Sequence, residues 1–393
     1  MAGNRRHRNI NTSRILRELW ISHTISRVEL ARNLNLNKST ISQIVGELIE
    51  RGVIKEVSEG ISGPQGGRKP VHLELNRHYG YVLGLELRPE SYTVVAVDLT
   101  GDILFSRTEN AVHSGENLVD EARNLLQTLP RELSWIGLPL LGAGLGISGI
   151  IDSNRGIILE SIPLGIESSL PIVEMLEPEF SFPVFIDNDA NSCAWGELAF
   201  HRAKQLRNFM FTLIEFHRNS RKQFYDNISV GMGIVFNGQV YAGTRQSAGE
   251  FRSIFCGPEE KGQFKASARL AENHGRIQDD PEGFHAFIVE LSKHIALFVN
   301  TFNLGQIFLG GDIERYQDQL MPVLIQEIDN NWSYDEHVDC EIRFSSLGDK
   351  SVAYGAAGFV LERLFVDPEI MDLGTESTWL ESDALDSLLK SGA

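Results

Sequence analysis

The sequence predicts an α/β protein in two parts: a winged helix-turn-helix head, then a body of two α/β lobes. Three observations predict it. The first 77 residues carry 13 Lys and Arg against 7 Asp and Glu, a net +6, while the remainder carries 23 against 46, a net −23. Three short amphipathic helices and a hairpin with a Gly- and Pro-rich tip fill that basic head. From Tyr79 onward, two successive series of strands and helices follow, the pattern of paired α/β lobes around a cleft.

Length and composition narrow the class. The 393 residues suffice for two or three domains, and 42% hydrophobic with 23% charged residues is ordinary for a soluble globular chain. The longest apolar stretch, Trp135 to Ile151, contains Pro139 and five glycines, which favours buried strands and turns over a membrane span. No apolar segment follows the basic start MAGNRRHRNI, so a secretory signal is not expected. Cys193, Cys256 and Cys340 are far apart and form no CxxC pair, which suits a reducing cytoplasm and argues against a cysteine-rich metal site. A basic head on an acidic body points to a polyanionic partner for the head alone.

In the head, Thr12 to Ile21 places Ile15, Leu16, Leu19 and Trp20 on one helical face. A second helix opens with the capping box Ser26-Arg27-Val28-Glu29 and carries Val28, Leu30, Ala31 and Leu34. A third, within LNKSTISQIVGELIERG, repeats Ile41, Ile44, Val45, Leu48 and Ile49 and stops at Gly52. Its opposite face begins with Lys38, Ser39, Thr40, Ser42 and Gln43, short hydrogen-bonding and basic side chains at the end that a helix-turn-helix presents to base edges of double-stranded DNA. Val53–Val57 and Val71–Leu75 alternate as two strands of a wing. The tip between them carries Arg68 and Lys69 within GGRKP, a segment suited to a narrow A·T-rich minor groove.

The body begins with three strands, YVLGLEL, SYTVVAVDLT and DILFSRT, with a turn at Thr100-Gly101-Asp102. A helix from Asn117 to Leu129 and a Gly-rich strand from Leu141 to Ile147 come next. PVFIDNDA then runs as a strand into the helix ANSCAWGELAF. A second series comprises NFMFTLI, ISVGMGIVFNGQVY, a helix through Ala268 to Ala271, a long helix from Glu282 to Thr301, the strand and turn IFLGGDI, the strand EIRFSSL and the small-residue helix AYGAAGFVLERLF. The expected division is 1–77 for the head, 78–190 for the first lobe, and 191–365 for the second lobe, with the last helix returning to the first. The acidic tail 366–393, with scattered Leu and Trp, is read either as disordered or as a short helix docked on a partner.

These segments, in order, carry a resemblance. The winged helix, LGISGIID, FIDNDANSCAWGE, GMGIVFNGQVYAG, SAGE and IFLGGDI resemble the ROK family of repressors, open reading frames and sugar kinases, specifically its xylose-type and N-acetylglucosamine-type repressors. The resemblance runs from about Asn9 to Phe365. It implies an actin-like, ribonuclease-H-like body with a monosaccharide bound between its lobes, and ATP deeper in the cleft in the kinase members. Asn188, Asp189 and Glu250 match three family sugar contacts, and Ser148, Gly149 and Gln263 fall at the same site. Carboxylates and amides suit a sugar because its hydroxyls both donate and accept.

The same resemblance exposes departures. Family kinases place Asp-x-Gly-Gly-Thr after the first strand, so that backbone amides cradle phosphate. Here the stretch Gly84 to Glu90 carries Pro89, which has no amide to donate, and Glu90, which sets a carboxylate against the phosphates. The second phosphate loop, Gly-Thr-Gly in the kinases, reads Gly231-Met232-Gly233, and a polar segment FHRNSRKQFYDN precedes it. In the family's zinc loop Ser253 stands for the expected His, Gln263 for a later Glu, and only Cys256 remains, so a four-ligand zinc site is not expected. The expectation is a DNA-binding, sugar-responsive repressor without cofactor, metal or catalysis, working as a homodimer or homotetramer away from membranes; the alternatives are a DNA-tethered ATP-dependent sugar kinase and a repressor whose body no longer binds sugar. Asp189, a base in a kinase, then acts as a hydroxyl acceptor. The plainer alternative is that Asp187 and Asp189 merely cap the next helix.

Overall fold

The computed structural model describes residues 2–59, 71–200, 206–216, 228–260, 262–266 and 280–365. Arg68 and Lys69 at the wing tip, most of FHRNSRKQFYDN, the helix expected at Ala268–Ala271 and the acidic tail lie outside the described residues.

The head is built from α1 (Ala2–Ser22), β1 (Ile25–Ser26), α2 (Arg27–Asn33), α3 (Lys38–Glu50), β2 (Ile54–Glu59) and β3 (Val71–Leu75). The first helix starts ten residues earlier than its apolar face, because polar Asn4 to Asn11 contains no proline to stop it. Ile15, Leu16 and Leu19 are fully buried, as are Leu30, Ile41 and Val45. The capping box forms as the sequence predicts: Glu29 N donates to Ser26 Oγ at 3.3 Å, and Ser26 N donates back to Glu29 Oε2 at 2.9 Å. Hydrogen bonds from Ser26 hold the Glu29 carboxyl below its ordinary range. At the other end of α2, Arg14 Nη2 donates to Leu34 O at 2.7 Å and satisfies a terminal carbonyl. The wing is an antiparallel sheet in the order β1-β3-β2.

The described body contains β4 (Tyr81–Leu87), β5 (Ser91–Asp98), β6 (Ile103–Asn110), α4 (Leu118–Glu132), β7 (Leu140–Ile147), β8 (Ile150–Asp152), β9 (Ile157–Glu160), α5 (Ile172–Leu176) and β10 (Val184–Asn188). After these come α6 (Asp189–Phe200), β11 (Phe209–Phe216), β12 (Ile228–Phe236), β13 (Gln239–Val240), α7 (Pro281–Phe302), β14 (Gln306–Gly311), α8 (Gln317–Asn330), β15 (Glu341–Phe344) and α9 (Ser351–Phe365). Two five-stranded sheets result, in the orders β6-β5-β4-β7-β10 and β13-β12-β11-β14-β15. Numbered within each sheet, both read 3-2-1-4-5. In each, strands one to three form an antiparallel meander and strand four lies parallel to strand one. The ribonuclease-H-like repeat is therefore present as topology without a sequence period.

The chain divides into two compact units, one of residues 1–146, 171–186 and 356–393, the other of 147–170 and 187–355. In the first unit the head's Trp20 meets Phe365 of α9 edge to face, with ring centroids 6.2 Å apart. In the second unit β11 shows the strand period of two directly. Met210 and Ile214 face a core with Phe287, Leu291 and Ile295 of α7, whereas Phe209, Phe211 and Leu213 face Ala190, Cys193 and Ala194 of α6. Helix α7 starts one residue before its predicted bound, with Pro281 at its first position and the Asp280 side chain accepting from Gly283 N at 3.0 Å.

Candidate DNA-reading surface and effector site

The described DNA-reading candidates, Lys38, Ser39, Thr40, Ser42 and Gln43, lie in the first turns of α3. Ile41, Ile44, Val45 and Leu48 of α3 are buried, while Lys38, Ser39, Ser42 and Gln43 are exposed and Thr40 half-buried. Asn37 opens the helix without a side-chain cap bond. The N-terminal turn of α3 therefore offers one polar and basic face to solvent.

All six candidate ligand residues belong to the second unit. At the end of β10, Asp187 points inward and is buried. Its Oδ1 accepts from Ser153 Oγ at 2.7 Å and Asn188 N at 2.8 Å, and its Oδ2 accepts from Trp195 Nε1 at 3.0 Å. Burial raises its carboxyl above the ordinary range, against these bonds. Asn188 works in both directions: Oδ1 accepts from Asn191 N at 3.1 Å, capping α6, and Nδ2 donates to Gly149 O at 2.9 Å. This braces the turn at Ser148 and Gly149, whose Ser148 carbonyl accepts from Ser161 Oγ at 2.7 Å. The capping role raised for the two aspartates thus falls to the asparagine between them. Asp189 begins α6, half-buried, with Oδ1 accepting from Ala190 N at 2.7 Å.

Helix α6 can lie close to β12 because Gly233 is a glycine: a Cβ there would stand 2.3 Å from Ala190 O. The Gly231-Met232-Gly233 run is a mid-strand segment of β12, paired with Leu213 to Phe211 of β11. Next to β12, Gly249 adopts φ +91°, and a Cβ would meet Met232 O at 1.8 Å, so only glycine fits before Glu250. Glu250 reaches solvent, yet the protein around it pushes its carboxyl up to about 7.

Gln263 is placed differently from the other five. Its Oε1 accepts from Val230 N at 2.8 Å, and its Nε2 donates to Val230 O at 2.7 Å and Phe251 O at 3.0 Å. The carboxamide is committed to backbone, tying the residue after Glu250 to β12. Asn188 and Asp189 stand at the start of α6, which packs on β12 where Ala190 meets Gly231 and Gly233, and Gln263 ties Phe251 to Val230 of the same strand. Sequence reasoning missed Ser153, Trp195, Glu290 and His294 as parts of this region. The signal for Trp195, eight residues beyond Asp187, is too long-range to read from spacing.

The segment that resembles a zinc loop does not fit that ion. Its one thiol, Cys256, directs Sγ to Gln263 O at 3.7 Å. Among the described residues no three His, Cys, Asp or Glu side chains gather in a metal-binding group. The tip of the β4–β5 hairpin is likewise not an open cradle. Arg88 N donates to Ser91 O at 2.9 Å, and His113 N and Ala111 N donate to the carbonyls of Pro89 and Glu90. The Arg88 Nε is paired with the buried Glu86 carboxylate at 2.5 Å. None of the described helices is long and apolar enough to cross a membrane.

Comparison with known proteins agrees with this architecture. Residues 8–55 match a winged helix-turn-helix DNA-binding model and residues 82–262 the ROK family model. The chain is 26% identical over 393 residues to the xylose repressor of Bacillus spizizenii, covering 92% of this chain and 97% of that one. Identity is 30% over 246 residues, 62% of this chain, against a Caldicellulosiruptor sp. (strain Rt8B.4) relative named for the same repression, of which the chain spans 58%. A crystal structure of a ROK family transcriptional regulator, a homolog of the E. coli MLC protein, superposes with TM-score 0.73 at 20% identity, covering 98% of this chain and all of that one. The chain thus carries a winged helix-turn-helix head followed by a body with a ROK family domain over residues 82–262.

Proposed function

We propose that the protein is a transcriptional repressor of sugar-utilisation genes that binds double-stranded DNA through α3 and the wing and is regulated by a monosaccharide. The observation that carries this is the presence in one chain of a solvent-facing recognition helix and a ROK body matching named xylose repressors along almost their whole length. Asn188, Asp189, Glu250, Ser148 and Gly149 bind the effector, and Gln263 positions the segment after Glu250. A pentose such as D-xylose is the first effector to test, given the relatives' names. The body does not transfer phosphate. Backbone bonds within the 88–91 turn and from Ala111 and His113 close this tip, and the Glu90 carboxylate there opposes a polyphosphate. The repressor works in the cytoplasm as a homodimer or homotetramer, so that two recognition helices enter major grooves about 34–36 Å apart.

Nuclease protection of promoter DNA upstream of xylose-utilisation genes tests this reading. Protection of a two-fold site that disappears with D-xylose supports it. Absence of protection on any such promoter, with or without sugars, overturns it.

A further inference from the structure

The segment after Glu250 is closed by side chains of α7 rather than by an ion. Glu290, buried on α7, accepts from Ser253 Oγ, from Lys265 N at 3.0 Å and from Ala266 N at 3.3 Å. One carboxylate thus holds both ends of the segment 253–266. One turn further along, His294 Nδ1 lies 2.8 Å from Glu290 O, an oxygen that only accepts, so this nitrogen carries the proton. That leaves Nε2 as the acceptor, and Ile254 N donates to it at 3.2 Å. Ser253, Glu290 and His294 are all more than nine-tenths buried. From just before the span, the Arg252 guanidinium donates to the carbonyls of Gly257, Glu260 and Gly262, and Ser253 N donates to Gln263 O at 2.9 Å. The Phe251 ring packs against His294, centroids 5.3 Å apart, and edge to face on Phe264.

We propose that Ser253, Glu290 and His294 form a metal-independent latch that positions Glu250 for the effector. The residue that replaces the family's expected histidine is, on this account, the latch's first contact. The proposal rests on the reading of Glu250 as an effector contact, and it makes Glu290 and His294 positioning residues that touch no ligand. Their partners are the Ser253 hydroxyl and the backbone amides of Ile254, Lys265 and Ala266, so loosening the latch releases Phe251 and with it the adjacent Glu250.

The test uses the full chain and three variants: Ser253→Ala, Ser253→Thr and Glu290→Gln. Hydrogen exchange of peptides spanning 251–266 reads the latch directly. D-xylose titration reads Glu250, and anisotropy of labelled promoter DNA reads the head. Ser253→Ala is expected to speed exchange in that span and weaken D-xylose by about tenfold, the effect of losing one hydrogen bond to a charged group, with DNA affinity unchanged. Ser253→Thr keeps the hydroxyl and restores both. Glu290→Gln sets an amide donor against Ala266 N and is expected to exceed Ser253→Ala in both readouts. Treatment with EDTA and 1,10-phenanthroline leaves wild-type exchange unchanged. Unchanged exchange in Ser253→Ala and Glu290→Gln, or loss of protection on chelation, overturns the latch. Faster exchange with unaltered D-xylose affinity overturns its positioning role. Failure of the wild type to bind any sugar sinks the functional reading instead, and the exchange and chelation arms still decide the latch.

Discussion

Two aspartates two residues apart, Asp187 and Asp189, should divide stability from ligand response, and the division can be worked from their contacts. Asp187→Asn keeps one acceptor oxygen for Ser153 Oγ and Asn188 N but turns the other into an amide facing Trp195 Nε1, a donor against a donor. Two buried donors then lack acceptors, at about 1–3 kcal/mol each. The expected loss is about 2–6 kcal/mol, or a melting-temperature drop of about 6–18 °C for a unit of this size. Asp189→Ala removes a half-buried carboxylate whose Oδ1 accepts from the neighbouring Ala190 amide, so the stability change should stay within about 1 kcal/mol, near the scale of a single neutral hydrogen bond. Its D-xylose response should vanish while promoter binding persists. Differential scanning fluorimetry with and without sugar measures both quantities. If Asp187→Asn melts like the wild type, or Asp189→Ala still responds normally to sugar, the assignment of the two carboxylates is wrong.

Other consequences are as direct. Ser26→Ala breaks the capping box and should destabilise the head by about 1 kcal/mol. Because Glu29 is held below its ordinary range, the lost stability is present at neutral pH and fades as pH falls through the carboxylate range; chemical denaturation at pH 7 and pH 3 measures the difference. Gln43→Ala, on the exposed face of α3, should weaken operator binding by about 1–3 kcal/mol and relax preference at one base position, measured by competition with single-base operator variants. Glu250 is raised to about 7, so the folded protein binds its proton more tightly than the unfolded chain does, and wild-type stability falls as pH rises from about 4.5 to about 7. Glu250→Gln lacks this slope, so its melting temperature relative to wild type should climb across that window. A flat difference refutes the raised carboxyl.

Much of this was legible in the chain. The Ser26 to Glu29 spacing specifies a local reciprocal pair of hydrogen bonds, and the α3 periodicity specifies which side chains are left outside; neither needs knowledge of distant residues. The Asp-Asn-Asp run announces a strand end before a helix, but not which carboxylate turns inward, because that depends on Ser153, 34 residues upstream, and on how Trp195, two turns into α6, folds back. Gln263 reads as a ligand residue by its place in the motif, whereas its partner Val230 lies 33 residues away and gives no local sign. The same holds for Glu290, whose hold on Ser253 spans 37 residues. Helix α9 reads as one small-residue helix, yet its first five residues belong to one compact unit and the rest to the other. Such a division depends on what each turn packs against.

The most direct test of the account is a paired titration of the repressor on labelled operator DNA with D-xylose and ATP present, reading anisotropy and ADP release together. The account predicts that sugar lowers operator affinity at least about tenfold, a differential binding energy near 1.4 kcal/mol, with no ADP formed. Sugar-dependent ADP release that disappears in Asp189→Asn would contradict it, making the chain a DNA-tethered kinase.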